Sequence, residues 1–484
     1  MTDAPAPDPR RWQALAILSV AYLMVVLDTA IVNVALPTIQ EKLDFSPENL
    51  QWVVSGYALT FGGLLLLGGR LGDILGRRRV FMVGLALFAA FSLLAGLSQS
   101  DTMLIVARLL QGAAGAVLSP SVFSIVSVTF AEGAERNKAL GILGAIAGSG
   151  AAIGVLLGGV LTTYVGWEWI FIVNVPIGIA ALLVVPRVVN ESRADGMART
   201  FDAGGAVTVT AGLMLLVYGL TQSSEAGWGS GQVIGTLVGA AVLIALFLLI
   251  ETRSKSPLMP LSIFRRRQIS GANVVGLGLG TAVFGTFYLL SLYMGQVLGF
   301  SALKTGVGYL AIALSVIVSA GIAQGVVTKV GVKPALMFGL GLIAGGLVYL
   351  SFVSVGGSYF GDLFIGFLLV GIGMGFAFIP ISIAALSGVE SHEAGLASGL
   401  INTSQNVGGA LGLAILVTVS TTRLNNQLDG IAEPTPAQFG SALVSGTSIA
   451  FWVAFAFIVG SLVIAGLMLK RESLAGKPVG VHVG

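Results

Sequence analysis

Apolar residues in this chain come in long, nearly unbroken runs separated by short polar segments. A spanning helix needs roughly 20 mostly apolar residues. Fourteen such runs are present, at about 12–36, 51–70, 79–98, 102–123, 138–163, 169–186, 203–221, 232–250, 269–297, 304–328, 335–355, 359–386, 394–420 and 446–469. The short alternating segments of a membrane barrel are absent. The pattern therefore predicts an all-α integral membrane protein. An even number of spans puts both termini on one side. Of the 25 Lys and Arg, Lys42, Lys304 and Arg423 fall on one predicted face and Arg108 inside a run. The others fall on the opposite face, among them Arg77–Arg79, Arg136, Lys138, Arg265–Arg267, Lys470 and Arg471. Basic residues in short loops mark the cytoplasmic side, so both termini are expected there.

Composition narrows the chemistry. Only 10% of residues are charged, 55% are hydrophobic and 68 of 484 are Gly; the mean hydropathy is +0.95. Soluble domains are about 25% charged. Cysteine is absent, and the only histidines are His392 and His482. That leaves no disulfide, no thiol chemistry and no metal cluster. No nucleophile and base stand in an enzyme-like set, and no G-x-x-x-x-G-K-[ST] loop is present to bind a nucleotide. Neither an enzyme nor a cofactor is expected, and the small excess of basic residues calls for no nucleic acid. The start, "MTDAPAPDPRRWQALAILSVAYL", carries a basic flank, but its apolar run is too long for a signal peptide. It reads as a retained first span.

The chain also repeats itself. "GRLGDILGRRR" (69–79) and "QGVVTKVGVK" (324–333) each follow the second span of a six-span set. Aligning Gly76 with Gly331 places Arg78 on Lys333 and Asp73 on Thr328. Two six-helix bundles, residues 1–187 and 269–484, then flank a linker at 188–268 with two extra helices. Parallel halves around a central site are a secondary-transporter architecture. The extra pair carries few polar residues and reads as peripheral scaffold.

Several motifs resemble those of the major facilitator superfamily, in particular its fourteen-helix drug:proton antiporters, over essentially the whole chain. "LDTAIVNVALP" resembles the first-helix motif of that branch, and "GRLGDILGRRR" the loop motif of the superfamily. "ARLLQGAAGA" (107–116) resembles the fourth-helix motif with its arginine, and "WEWIFIVNVPIG" (167–178) the sixth-helix motif. Gly141, Gly150, Gly154, Gly158 and Gly159 match the fifth-helix antiporter motif. Three positions depart from the pattern: Val155 stands where that motif has proline, Glu168 where arginine separates the tryptophans, and Gln405 where arginine is frequent. The resemblance implies export of lipophilic, cationic small molecules against protons by alternating access. It implies a monomer in the bacterial inner membrane, in contact with lipid. A narrower exporter of one antibiotic, metabolite or lipid, or an uptake permease, is the alternative.

Two charges lie deep within spans. Asp28 is 16 residues past Trp12, or about 24 Å along a helix axis, and about 12 Å short of Leu36. Arg108 is about 9 Å from Thr102. The depths match, so Asp28 and Arg108 are expected to meet directly or through Gln111. The plainer reading is a fixed ion pair holding two helices together. Because membrane charges are costly, the functional reading is a site for proton and substrate coupling. Asp362 is a third candidate, more simply read as a carboxylate at a helix start, where the dipole favours it.

Gly69, Asp73, Gly76 and Arg77 form the expected conformational gate. The resemblance implies that Asp73 meets the start of span thirteen near Ala394; Arg77 is expected to pair with Glu132 or Glu135. Gly150, Gly154 and Gly158 share one helix face, which favours close helix approach; the resemblance points that face at a helix of the second half. Asn33, Gln51, Trp52, Tyr57, Tyr288, Tyr293, Gln296, Asn402, Gln405 and Asn406 are candidates to line a substrate cavity, since aromatics accept cationic ligands.

Overall fold

The computed structural model describes residues 9–130, 134–193, 202–254, 257, 261–386, 394–431 and 434–470. It is all-helical. The long helices are α1 (Arg11–Leu43), α2 (Trp52–Leu75), α3 (Arg77–Gly96), α4 (Asp101–Thr129), α5 (Ala134–Tyr164), α6 (Asn174–Val188) and α7 (Ala203–Ala226). They continue as α8 (Gly231–Arg253), α9 (Arg267–Leu292), α10 (Ala302–Val330), α11 (Val332–Leu350), α12 (Phe364–Leu386), α13 (Ala394–Leu428) and α14 (Pro436–Met468). Each apolar run of the sequence falls on one of them. Among the described residues, eleven helices are long and apolar enough to cross a membrane. Helices α2, α5 and α7 carry further apolar stretches among the described residues, at Trp52–Leu65, Ile153–Tyr164 and Gly204–Leu220.

The internal repeat is visible in the packing. In the first half α1 lies along α5 and against α6, α2 and α3 pack on α4, and α3 packs on α6. Adding eight to each helix number gives the second half: α9 along α13 and against α14, α10 and α11 on α12, and α11 on α14. The turns at the repeat mark also agree. Gly76 and Gly331 both adopt positive φ, +111° and +93°, which a side chain would strain. The halves meet through two related seams, α5 with α10 and α2 with α13.

The two ends of the bundle differ. At the end carrying Arg77–Arg79, the basic end, Arg11 pairs with Glu135 at 3.0 Å and Arg78 Nη1 donates to Val189 O. The Glu191 carboxylate accepts from the backbone N–H of Arg78 and Arg79 at 3.1 and 3.2 Å. It thereby caps α3, whose preceding residue, Gly76, has no side chain to do so. At the opposite end the halves touch directly. Gln296 Nε2 donates to Gln40 Oε1 at 2.6 Å, and Leu303 N donates to Thr163 Oγ1 at 3.1 Å.

The extra pair corrects the expectation of a peripheral scaffold. Helix α7 lies across the α2–α13 seam and packs on both. Ala58, Leu59, Val217, Ala410 and Ala414 form a buried apolar cluster there. Thr210 Oγ1 donates to Gly63 O (3.2 Å) and Thr418 Oγ1 to Leu220 O (3.0 Å). Threonine-to-carbonyl bonds let an apolar helix grip two neighbours, which is why its lack of strongly polar residues misleads. Helix α8 packs on α7 and leaves Ile234, Val238 and Val242 exposed.

Candidate functional site

A buried polar cluster sits where α1, α3, α4 and α6 converge. Asp28, Ser92, Arg108, Gln111 and Asn174 are each no more than 2% exposed. Arg108 Nη1 donates to Asp28 Oδ2 at 2.5 Å and to Gln111 Oε1 at 2.6 Å. Gln111 Nε2 donates to Asp28 Oδ1 (2.8 Å) and to Ser92 Oγ (2.7 Å). Asn174 Nδ2 lies 3.2 Å from Asp28 Oδ1 and 3.4 Å from Ser92 Oγ. The structure thus brings Asp28, Arg108 and Gln111 into one hydrogen-bonded unit. Their registers in α1 and α4 explain the meeting: three residues separate Arg108 from Gln111, so both side chains leave one face of α4.

Arg108 is held on its remaining sides as well. Its Nε donates to Val53 O at 2.8 Å, an acceptor on α2. The guanidinium carbon stands 4.3 Å from the Tyr57 ring centroid and 5.5 Å from that of Phe171. Both distances lie within the range of cation–π attraction. A buried charge is tolerated only when paired and hydrogen-bonded, and here two carbonyl oxygens, a carboxylate and two aromatic faces meet that need.

Helix α5 approaches this cluster through its glycines, and here the structure corrects the sequence reading. A Cβ on Gly154 would lie 3.0 Å from Leu27 O, beside Asp28, and one on Gly158 would lie 2.7 Å from Ile31 O. Gly150 meets Val26 of the same helix. The glycine face therefore packs on α1 of its own half. It is Val155 and Gly159, on another side of α5, that meet the second half, at Gly306 and at Ala302 and Leu303 of α10.

The gate residues separate. Gly69 packs on Pro120 of α4, and Gly76 forms the turn closed by Glu191. Arg77 N donates to Ser192 O. Glu135 is engaged by Arg11. The side chain of Asp73, the side chain of Ala394, and Glu132 lie outside the described residues, as do His392 and His482.

The cavity candidates scatter. Trp52 faces Tyr218 of α7, ring centroids 6.5 Å apart, so it packs at the seam. Tyr57 underlies Arg108, and Gln51 is buried at the start of α2. Tyr288 is fully buried in the second bundle. Tyr293 is equally buried and donates to Ser354 O at 2.8 Å. Asn33 donates back to Thr29 O of its own helix. Gln296 takes part in the contact between halves already described. Gln405 packs on Gly276 of α9, while Asn406 lies over Gly62 of α2 and donates to the carbonyl of Asn402, an exposed residue. Asp362 accepts from Ser358 N at 2.7 Å, the helix-start geometry.

Ser92 and Asn174 were not legible as site residues. Each is a lone small polar residue in an apolar run, and only the fold shows what it meets. Asn174 lies within the sixth-helix motif, which was the available signal.

Residues 18–413 match the model of the Major Facilitator Superfamily. The chain belongs to that superfamily. Within this superfamily it is 37% identical over 469 residues to the puromycin resistance protein pur8 of Streptomyces alboniger, covering 96% of this chain and 91% of the relative. It is 40% identical over 410 residues to the cephamycin export protein CmcT of Amycolatopsis lactamdurans, covering 84% of each. The fold is similar to that of a bacterial homologue of the human lysosomal transporter Spinster, in an inward-facing and occupied conformation. That likeness has a TM-score of 0.65 at 14% identity and covers 96% of this chain and 98% of the other. As a facilitator, the chain is an integral membrane transporter with antibiotic exporters among its relatives.

Proposed function

We propose that this protein is a proton-coupled exporter of lipophilic, cationic compounds, working by alternating access from the bacterial inner membrane with both termini cytoplasmic. The observation that carries this reading is the buried Asp28–Arg108–Gln111 unit. A carboxylate so placed is neutralised either by a proton or by its arginine, and a cationic substrate competes with both. One site then takes a proton or a substrate, but not both well. Moving one charge across 100 mV is worth about 2.3 kcal/mol, so the membrane potential and proton gradient supply the drive. Neither a cofactor nor a partner chain enters this scheme; residues 1–187 and 269–484 act as the rocking halves and 188–268 as their link. With the basic end inside, the contacts Gln40–Gln296 and Thr163–Leu303 lie on the outer side.

A narrower reading, export of a single antibiotic, draws support from relatives named for one compound each, puromycin and cephamycin. Both readings meet the same test. Inverted vesicles are given a preset pH gradient, followed with a pH-sensitive dye, and challenged with cationic dyes and with puromycin. Dissipation by several cations in the native protein, lost in Asp28→Asn, is the expected result. Dissipation by one compound alone favours the narrow exporter. Dissipation by none overturns proton coupling.

A further inference from the structure

Three side-chain donors converge on the Asp28 carboxylate: Arg108 and Gln111 from α4, and Asn174 from α6. Hydrogen bonds to a charged carboxylate favour that form over the protonated one. Arg108 acts by charge. The Gln111 amide is divided, since its Nε2 also serves Ser92 and its Oε1 accepts from Arg108. Asn174 also faces Ser92, at 3.4 Å, but it comes from another helix, α6. It is 2% exposed and sits in the first turn of α6, one turn beyond Phe171, whose ring faces Arg108. One span, Trp169–Val188, thus touches both members of the ion pair.

We infer that Asn174 is a positioning residue that sets the proton affinity of Asp28 and ties α6 to the coupling site. This rests on the reading of Asp28 as the proton site. The charged and titratable side chains at the cluster are Arg108 of α4 and Tyr57 of α2. From α3 it meets Ser92, while α5 packs through Gly154 on Leu27 and Ala30, beside Asp28. Glu135 and Tyr164 lie at the two ends of α5, and Glu168 turns toward Gly166. Across the seam, Tyr288, Tyr293 and Tyr309 are buried in their own bundle and Lys304 stands over Phe300. Arg267 and Lys329 lie at the basic end.

Infrared difference spectroscopy on the purified protein reads the protonated-carboxyl stretch of Asp28, recognised by its loss in Asp28→Asn, as pH is varied. Asn174→Val should raise the midpoint by about one pH unit, a tenfold gain in proton affinity. Ser92→Ala disturbs the same cluster without removing a donor to Asp28, and should leave the midpoint in place. The pH profile of substrate-evoked proton release in vesicles should move upward with Asn174→Val. If that variant does not fold, Asn174→Ser keeps a shorter donor and should give a smaller upward shift. An unmoved midpoint in the folded variants, an equal shift in Ser92→Ala, or no Asp28 band at any pH overturns the inference. A moved midpoint in a protein that shows no substrate-evoked proton release upholds Asn174 and overturns proton coupling instead.

Discussion

The two halves pack their helices by one plan and fill the plan with different chemistry. In the first half, spans are joined by a charged cluster in which Asp28, Ser92, Arg108, Gln111 and Asn174 each have a partner on another helix. In the second, tyrosines do the joining. Tyr309 of α10 donates to Phe287 O of α9 at 2.6 Å and lies between the rings of Phe287 and Phe367, stacked at 5.4 and 5.6 Å. Tyr359 donates to Gly308 O of α10, and Tyr349 to Gly361 O. Among the described residues of the second bundle, no buried side chain carries a formal charge. A neutral brace holds one arrangement and has no buried charge to neutralise. A buried ion pair can be neutralised, and its packing demands change when it is. On the proposed function, the first half is the one that switches and the second the one that resists.

The largest effect that would break this comparison is at Arg108. Arg108→Leu strands the Asp28 carboxylate in a dry site and should cost about 3–5 kcal/mol of stability, as expected for half of a buried pair. Thermal unfolding in detergent measures it, and adding Asp28→Asn should restore most of the loss. A double variant as unstable as the single one would mean that charge is not what the first half depends on.

Glycine substitutions come next. Gly154→Val drives a side chain against Leu27 O and Ala30 on the helix that carries Asp28. Overpacking of this kind costs about 1–3 kcal/mol, and substrate-evoked proton release should fall with it. Gly460→Val, on α14 with open space around it, should leave both unchanged. Equal effects at the two positions would remove any special place for α5.

Tyr309→Phe removes the hydrogen bonds to Phe287 O and Ser291 Oγ and should cost about 1–2 kcal/mol, since the ring stack survives. The sharper expectation is that its pH profile of transport matches the native protein. A shifted profile would place a titrating role in the second half and end the division of labour. Smallest of all, Thr210→Val with Thr418→Val should lower stability by about 0.6 kcal/mol for each bond, read as an earlier unfolding midpoint.

The sequence pattern carried the helices, their order, the repeat and the depth match that joins Asp28 to Arg108. All of these are written along one chain direction. Contacts between distant helices are not. Gly150, Gly154 and Gly158 announced a close approach but not the identity of the helix approached. Trp52, Tyr288 and Tyr293 looked like cavity residues because an aromatic in a span carries no mark of which neighbour it faces. Ser92 and Asn174 stayed hidden for the same reason. Asp362 was the reverse case: a helix-start carboxylate is a local device, and the local reading agrees with the structure.

One feature of the fold gives the molecule a front and a back within the plane of the membrane. The α2–α13 seam is roofed by α7, whereas beside the α5–α10 seam Ile153, Leu156 and Val160 of α5 and Val307 and Leu314 of α10 are exposed. The acyl chains of the bilayer therefore bathe one joint between the halves and are held off the other. Changes in bilayer thickness or lateral tension would bear on the rocking motion from a single flank, and a compound dissolved in the lipid would meet a joint between the halves on that flank alone.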